Sequence, residues 1–200
     1  MIHTNFDDKA FLKKLLLEDK VIAFPTETVF GLGVISTSEK AFNNLVEVKR
    51  RSPDKPFTLM CSSLEQLSKY VVFSKKSLQI ARKFMPGSIT LILKVQDWVP
   101  KFVTLGSGFI GVRIPGNKDL CDFIEYVGVP LLVPSANKSG EAPALSSEEV
   151  EKAFMNEIPA VVDGKCVSNL PSTIVKIDND VVTLIRQGPI DFDDIIKAGD

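Results

Sequence analysis

Lys49, Arg50, Arg51 and Lys55 place four cations within seven positions. Arginine holds phosphate oxygens in a planar fork, and lysine meets them as a point charge. Such a cluster suits a polyphosphate whose leaving oxygens gain charge as a bond breaks. It equally suits the solvated end of a helix, where the dipole favours cations by about 0.3–1 kcal/mol. Pro134-Ser-Ala-Asn-Lys-Ser-Gly140 supplies a second chemical stretch. It follows the apolar run Val129–Val133, short enough for a buried strand. Ser135 and Asn137 alternate along an extended backbone, so both can point to one side. Open α/β sheets seat their ligands at such strand ends. The same residues are also ordinary turn chemistry.

Other residues add donors and charge. Pro25-Thr-Glu-Thr-Val-Phe-Gly-Leu-Gly33 follows a predicted strand, with Thr26, Glu27 and Thr28 as hydrogen-bonding groups. No Gly-Lys-Ser/Thr follows, so it is no P-loop. Arg113 lies inside an apolar strand, where a lone charge costs several kcal/mol. It must therefore pair with an acid or face a carboxylate ligand. Ser172 opens a late strand, and Arg186 closes the last one. His3 is the sole histidine, which excludes Ser/His/Asp and Cys/His machinery. Cys61, Cys121 and Cys166 form no CxxC pair, so neither a zinc site nor a disulfide framework is expected. What remains is chemistry by positioning and electrostatics, as in nucleotidyl transfer.

These groups need a scaffold. Asp7 or Asp8, Ser38, Ser63, Ser74, Asn117 and Ser146 each precede a helical pattern, and Glu149 completes a capping box with Ser146. Pro53 and Pro56 are expected to end the helix that starts at Ser38. Strands are predicted at 21–24, 57–61, 89–95, 109–114, 160–162, 173–177 and 181–185. No element is assigned around His3. Late strands outnumber helices, so the βα alternation fails. The reading is a single α/β domain over residues 1–200, with a mixed twisted sheet and flanking helices.

The chain has 200 residues, 44% of them hydrophobic, and a net charge of −1. A chain of this size buries roughly 70% of its unfolded surface without a staple. The charge balance argues against a protein held to nucleic acid by bulk phosphate attraction. It leaves room for a locally cationic pocket. No apolar run reaches the roughly 18 residues of a membrane span, and the N-terminus lacks a secretory pattern. A cytoplasmic protein without a membrane partner is expected.

Several motifs in register resemble the YrdC family of threonylcarbamoyl-AMP synthases. They are Pro25–Gly33, Lys49–Arg51 with Pro53–Pro56, Pro86–Leu93, Val112–Pro115, Pro134–Gly140, Pro171–Val175 and Arg186–Gly188. The resemblance implies a mixed α/β sheet curled around a basic cavity, in the short, single-domain form. It implies that L-threonine, bicarbonate and ATP give L-threonylcarbamoyladenylate and pyrophosphate. This is the first step toward N6-threonylcarbamoyladenosine at position 37 of tRNA. Mg2+ would arrive with ATP, and no organic cofactor is implied.

The family's Lys-x-Arg and Ser-x-Asn signature falls on Lys49, Arg51, Ser135 and Asn137. By resemblance, Lys49, Arg51, Lys55, Asn137 and Arg186 contact ATP. Thr28, Arg113, Ser135 and Ser172 hold threonine. Met60 stands where some members carry a polar residue. Asn169 and Lys165 stand where glycine is common. Implied partners are tRNA-modifying enzymes that use the adenylate, while direct tRNA contact is left open. The alternative is an RNA-binding module using the same cavity without chemistry. Hydrogenase-maturation relatives carry zinc-type cysteine motifs that this chain lacks.

Overall fold

The computed structural model describes residues 1–52, 56–166 and 168–199. Its first half runs β1 (Ile2–Thr4), a 3-10 turn (Phe6–Asp8), α1 (Lys9–Leu17), β2 (Ile22–Phe24), β3 (Gly31–Ile35), α2 (Glu39–Lys49), β4 (Thr58–Met60), α3 (Leu64–Ser68), α4 (Lys75–Phe84) and β5 (Ile89–Lys94). The second half runs α5 (Lys101–Thr104), β6 (Phe109–Arg113), α6 (Lys118–Val127), β7 (Leu131–Val133), α7 (Ser147–Phe154), β8 (Ala160–Val162), β9 (Thr173–Asp178), β10 (Val181–Arg186) and α8 (Phe192–Gly199).

The strands form one ten-stranded sheet in the order β1-β8-β2-β3-β7-β4-β6-β5-β9-β10. It is mixed, as expected: β4 runs parallel to β6, and β5 parallel to β9. β7 is antiparallel to β3 and β4, and β5 is antiparallel to β6. The central strands are buried on both faces, which explains their continuous apolar runs.

Helix starts follow the expected caps. The side chains of Ser38, Ser63, Ser74, Asn117 and Ser146 each accept the backbone N–H three residues on. Three details differ. Asp8 precedes α1 without a side-chain cap bond, and Asn5 instead caps the 3-10 turn before it. The Glu149 carboxylate accepts from the Leu145 amide, one residue beyond the box partner. α2 stops at Lys49 because Arg50 turns left-handed (φ 49°) and the Arg50 and Arg51 amides bond back to Glu47 and Val46.

Two strands exceed the expectation. β1 pairs with β8, and His3 bonds Asp163 at 2.6 Å, so the N-terminus is part of the sheet. β3 contains Gly31 and Gly33 of the Pro25–Gly33 stretch. The Phe24 ring lies across them: a Cβ on Gly33 would stand 2.4 Å from it, and one on Gly31 would stand 2.7 Å from Val133. Glycine here admits a ring, not a turn. α8 packs on α4, with Gly199 against Lys76 and Ile80. No described helix is long and apolar enough to cross a membrane.

Candidate active site

One face of the sheet carries a cavity of about 250 Å³. Thr58 and Met60 of β4, Thr90 and Ile92 of β5, and Gly111 and Arg113 of β6 line its floor. Each pair is spaced i, i+2, so the pleat sends both members to one face and the residue between them into the core. Leu59, Leu91 and Val112 are those intervening residues, and all are fully buried. Ordinary strand alternation thus separates core from cavity.

The Ser135–Asn137 loop follows β7 and is lashed to the end of α2. The Lys49 ammonium donates to the Ser135 carbonyl (2.7 Å), the Asn137 carbonyl (2.8 Å) and Asn137 Oδ1 (2.9 Å). An ammonium has three protons, so all three are used. The Ser135 hydroxyl donates to the same Oδ1 at 2.6 Å. Asn137 Nδ2 donates to the Lys138 and Glu141 carbonyls. The amide orientation is therefore forced, because an ammonium accepts nothing and must face Oδ1. Lys49 is 2% exposed. Burial, with the nearby Arg51 charge, lowers its pKa to about 8.

Arg113 is also buried, and its guanidinium is held on two edges. Nε donates to the Gly87 carbonyl (3.2 Å), and Nη2 donates to Glu27 Oε1 (2.6 Å) and Thr28 Oγ1 (3.0 Å). Both readings made from sequence meet here: Arg113 has an acidic partner and also lines the cavity. Nη1 has no partner among the described residues. The hydroxyls run in one direction. Thr26 donates to the Val29 carbonyl at 2.7 Å, so the 2.9 Å contact with Thr28 takes its proton from Thr28. Thr28 then receives the arginine.

Ser172 immediately precedes β9, with its hydroxyl 2.8 Å from that of Thr90. Arg186 donates from Nε and Nη2 to the Ser172 carbonyl at 3.1 and 2.8 Å. Partial burial there, and then the neighbouring Arg113 charge, hold Arg186 below the usual guanidinium range. Thr173 fastens this corner by donating to the Ile190 carbonyl and accepting from the Gly188 and Ile190 amides. Gly188 is required by space, since a Cβ would lie 2.4–2.6 Å from backbone atoms of Pro171, Ser172 and Thr173. Arg51 donates to the Pro56 carbonyl and stacks on the Phe57 ring, 5.3 Å from its centroid.

Thr28, Arg51, Arg113, Ser135, Ser172 and Arg186 all line the cavity. Lys49 and Asn137 lie behind Ser135, bonded to each other and to its loop. Lys55 lies outside the described residues. Thr90 and Thr58 were not singled out from the sequence, though a lone hydroxyl within an apolar run was a usable signal. The Arg113–Glu27 pairing links residues far apart in the chain and left no local sign. Among the described residues no acid, cysteine or histidine cluster could hold a metal. Burial raises the Cys121 thiol to about 11 and pushes Cys61 higher still.

The Sua5/YciO/YrdC family model, described as telomere recombination, matches residues 14–188. The threonylcarbamoyl-AMP synthase of Pseudoalteromonas atlantica is 37% identical over 80% of this chain and 86% of its own. That of Pyrococcus abyssi is 32% identical over 90% of this chain, which spans only 54% of that protein. The crystal structure of P. abyssi Sua5 complexed with L-threonine superposes with a TM-score of 0.93 at 30% identity, over 99% of this chain and 61% of that one. E. coli YciO shares the fold, with a TM-score of 0.85 at 24% identity over 95% of each chain. Sequence match and superposition agree along the strands that build the cavity: the chain belongs to the Sua5/YciO/YrdC family.

Proposed function

We propose that this protein makes L-threonylcarbamoyladenylate from L-threonine, bicarbonate and ATP, releasing pyrophosphate. The observation that carries the reading is the shared wall of Thr28, Arg113, Ser135 and Ser172. It occurs in a chain that superposes on a relative solved with L-threonine. The names of the similar synthases favour this over an RNA-binding module.

Arg113 Nη1 takes the threonine carboxylate, while Glu27 and Gly87 hold the guanidinium still. Thr28, Ser135 and Ser172 supply short polar groups around the amino acid. The cavity is slightly below the roughly 300 Å³ at which ligand pockets begin. Threonine takes the part walled by Thr28, Arg113, Ser135 and Ser172, and the nucleotide meets Arg51 and Arg186 on the same cavity. Lys49, Arg51, Lys55, Asn137 and Arg186 form the ATP side. Lys49 exchanges one loop carbonyl for a phosphate oxygen when ATP arrives, and Mg2+ enters bound to that substrate.

In the reaction, the threonine amine forms a C–N bond to CO2 derived from bicarbonate and loses a proton. A carbamate oxygen then attacks the α-phosphorus as the bond to pyrophosphate breaks. The fixed cations oppose the charge growing on the leaving oxygens. The adenylate then passes to enzymes that complete the tRNA modification at position 37. The test is pyrophosphate release from ATP with threonine and bicarbonate withheld in turn. Release that needs both is expected; equal rates without threonine would overturn the reading.

A further inference from the structure

Lys138 follows the Ser135–Asn137 pair, yet its side chain is directed away from the cavity and is only 10% exposed. Its ammonium donates to the Val48 carbonyl at 3.2 Å and to the Glu157 carboxylate, and lies 4.6 Å from the centroid of the Phe154 ring. These partners come from the last turn of α2, from α7 and from the turn after α7. That turn is sharply set, because Asn156 adopts φ 65° and the Glu157 amide bonds back to Phe154. Lysine is seldom buried unless paired, and this one has a carboxylate, a carbonyl and an aromatic face.

The loop is thus tied to α2 in both directions. Lys49 reaches from the helix to the loop carbonyls. Lys138 reaches from the loop to the helix, and the Ser139 amide bonds the Lys49 carbonyl at 3.0 Å. The second tie satisfies two carbonyls that end α2, where positive charge is also favoured by the helix dipole. We infer that Lys138, set by Glu157, is a positioning residue for the reaction. It fixes the loop so that Ser135 faces the cavity while Asn137 meets Lys49. The inference rests on the synthase reading for its activity readout and extends the working site to the turn behind α7.

The experiment compares Lys138→Met, Glu157→Gln, the double variant and Lys138→Arg with the wild type. It measures kcat and KM for threonine and ATP well below each melting temperature. Lys138→Met is expected to lower kcat tenfold or more, with a smaller rise in threonine KM, because Ser135 moves with the loop while Arg113, Thr28 and Ser172 stand on other elements. Lys138→Arg should recover most of the loss. The double variant should be no worse than Lys138→Met, since coupled residues do not add. Losses that multiply, or full activity in Lys138→Met, would overturn the inference. Residue-resolved hydrogen exchange gives a second readout. The Ala136 and Ser139 amides should exchange at least tenfold faster in Lys138→Met, with β5 unchanged. A wild type without threonine-dependent turnover sinks the synthase reading alone, and unchanged exchange at both amides sinks the strut.

Discussion

Asn137 Oδ1 accepts two protons at once, from the Lys49 ammonium at 2.9 Å and from the Ser135 hydroxyl at 2.6 Å. A single atom therefore joins a buried cation to a side chain on the cavity wall.

The protonation of Lys49 should separate stability from activity. Its pKa is about 8 in the fold, against 10.5 for an ordinary lysine. Between those values the unfolded chain binds the extra proton, so stability rises with pH across that window. Over the same range Lys49 loses a donor to the loop, so turnover should fall, with a midpoint near pH 8. Denaturant midpoints and turnover between pH 7 and 10 check this. Parallel decline of both would show that Lys49 does not govern the alkaline limb.

Arg113 and Glu27 should show the asymmetry of a buried pair. Arg113→Met strands the Glu27 carboxylate, and such losses cost about 3–5 kcal/mol, toward the lower end for a partly exposed acid. Arg113→Met with Glu27→Leu should recover part of that stability while threonine binding stays lost. Urea titrations and calorimetry with threonine separate the two effects.

Gly188→Ala should damage both fold and site. The added methyl would press on three backbone positions that carry Ser172. Overpacking of this kind costs about 1–3 kcal/mol or more. Arg186 and Ser172 would shift together, weakening substrate binding. A melting curve unchanged from the wild type would contradict the close approach.

Gly111→Ala should do the opposite, sparing the fold and filling the cavity. Its Cβ would lie 3.1 Å from the Thr90 methyl and 3.7 Å from the Thr58 hydroxyl. A methyl-sized change in a pocket is worth about 1–3 kcal/mol in discrimination. Threonine affinity is expected to fall about tenfold, and serine, shorter by a methyl, should lose less. Competition binding with the two amino acids measures this.

Much of this architecture is readable from local signals. Ser38, Ser63, Ser74 and Asn117 announce their helices because a cap is a contact within four residues. Ser135 and Asn137 do meet through a hydroxyl–amide bond, but across a bend and not along the extended chain expected, because the Asn137 amide bonds back to the Ser135 carbonyl at 3.1 Å. Contacts between distant segments were not readable. Gly31 and Gly33 look like a turn until Phe24 is laid across them. Lys49 looks like a solvated helix end until the β7 loop supplies three oxygens. The strand order is likewise hidden, because β7 inserts between β3 and β4 from late in the chain.

The alternation along β4, β5 and β6 leaves one peptide unit between a core side chain and a cavity side chain. The geometry of the chemistry is therefore calibrated by hydrocarbon on the reverse of the same sheet. Val112→Ala, the loss of both γ-methyls, would open a void behind Gly111 and Arg113 without touching either. Substrate preference in such a molecule can be retuned from positions no ligand ever meets.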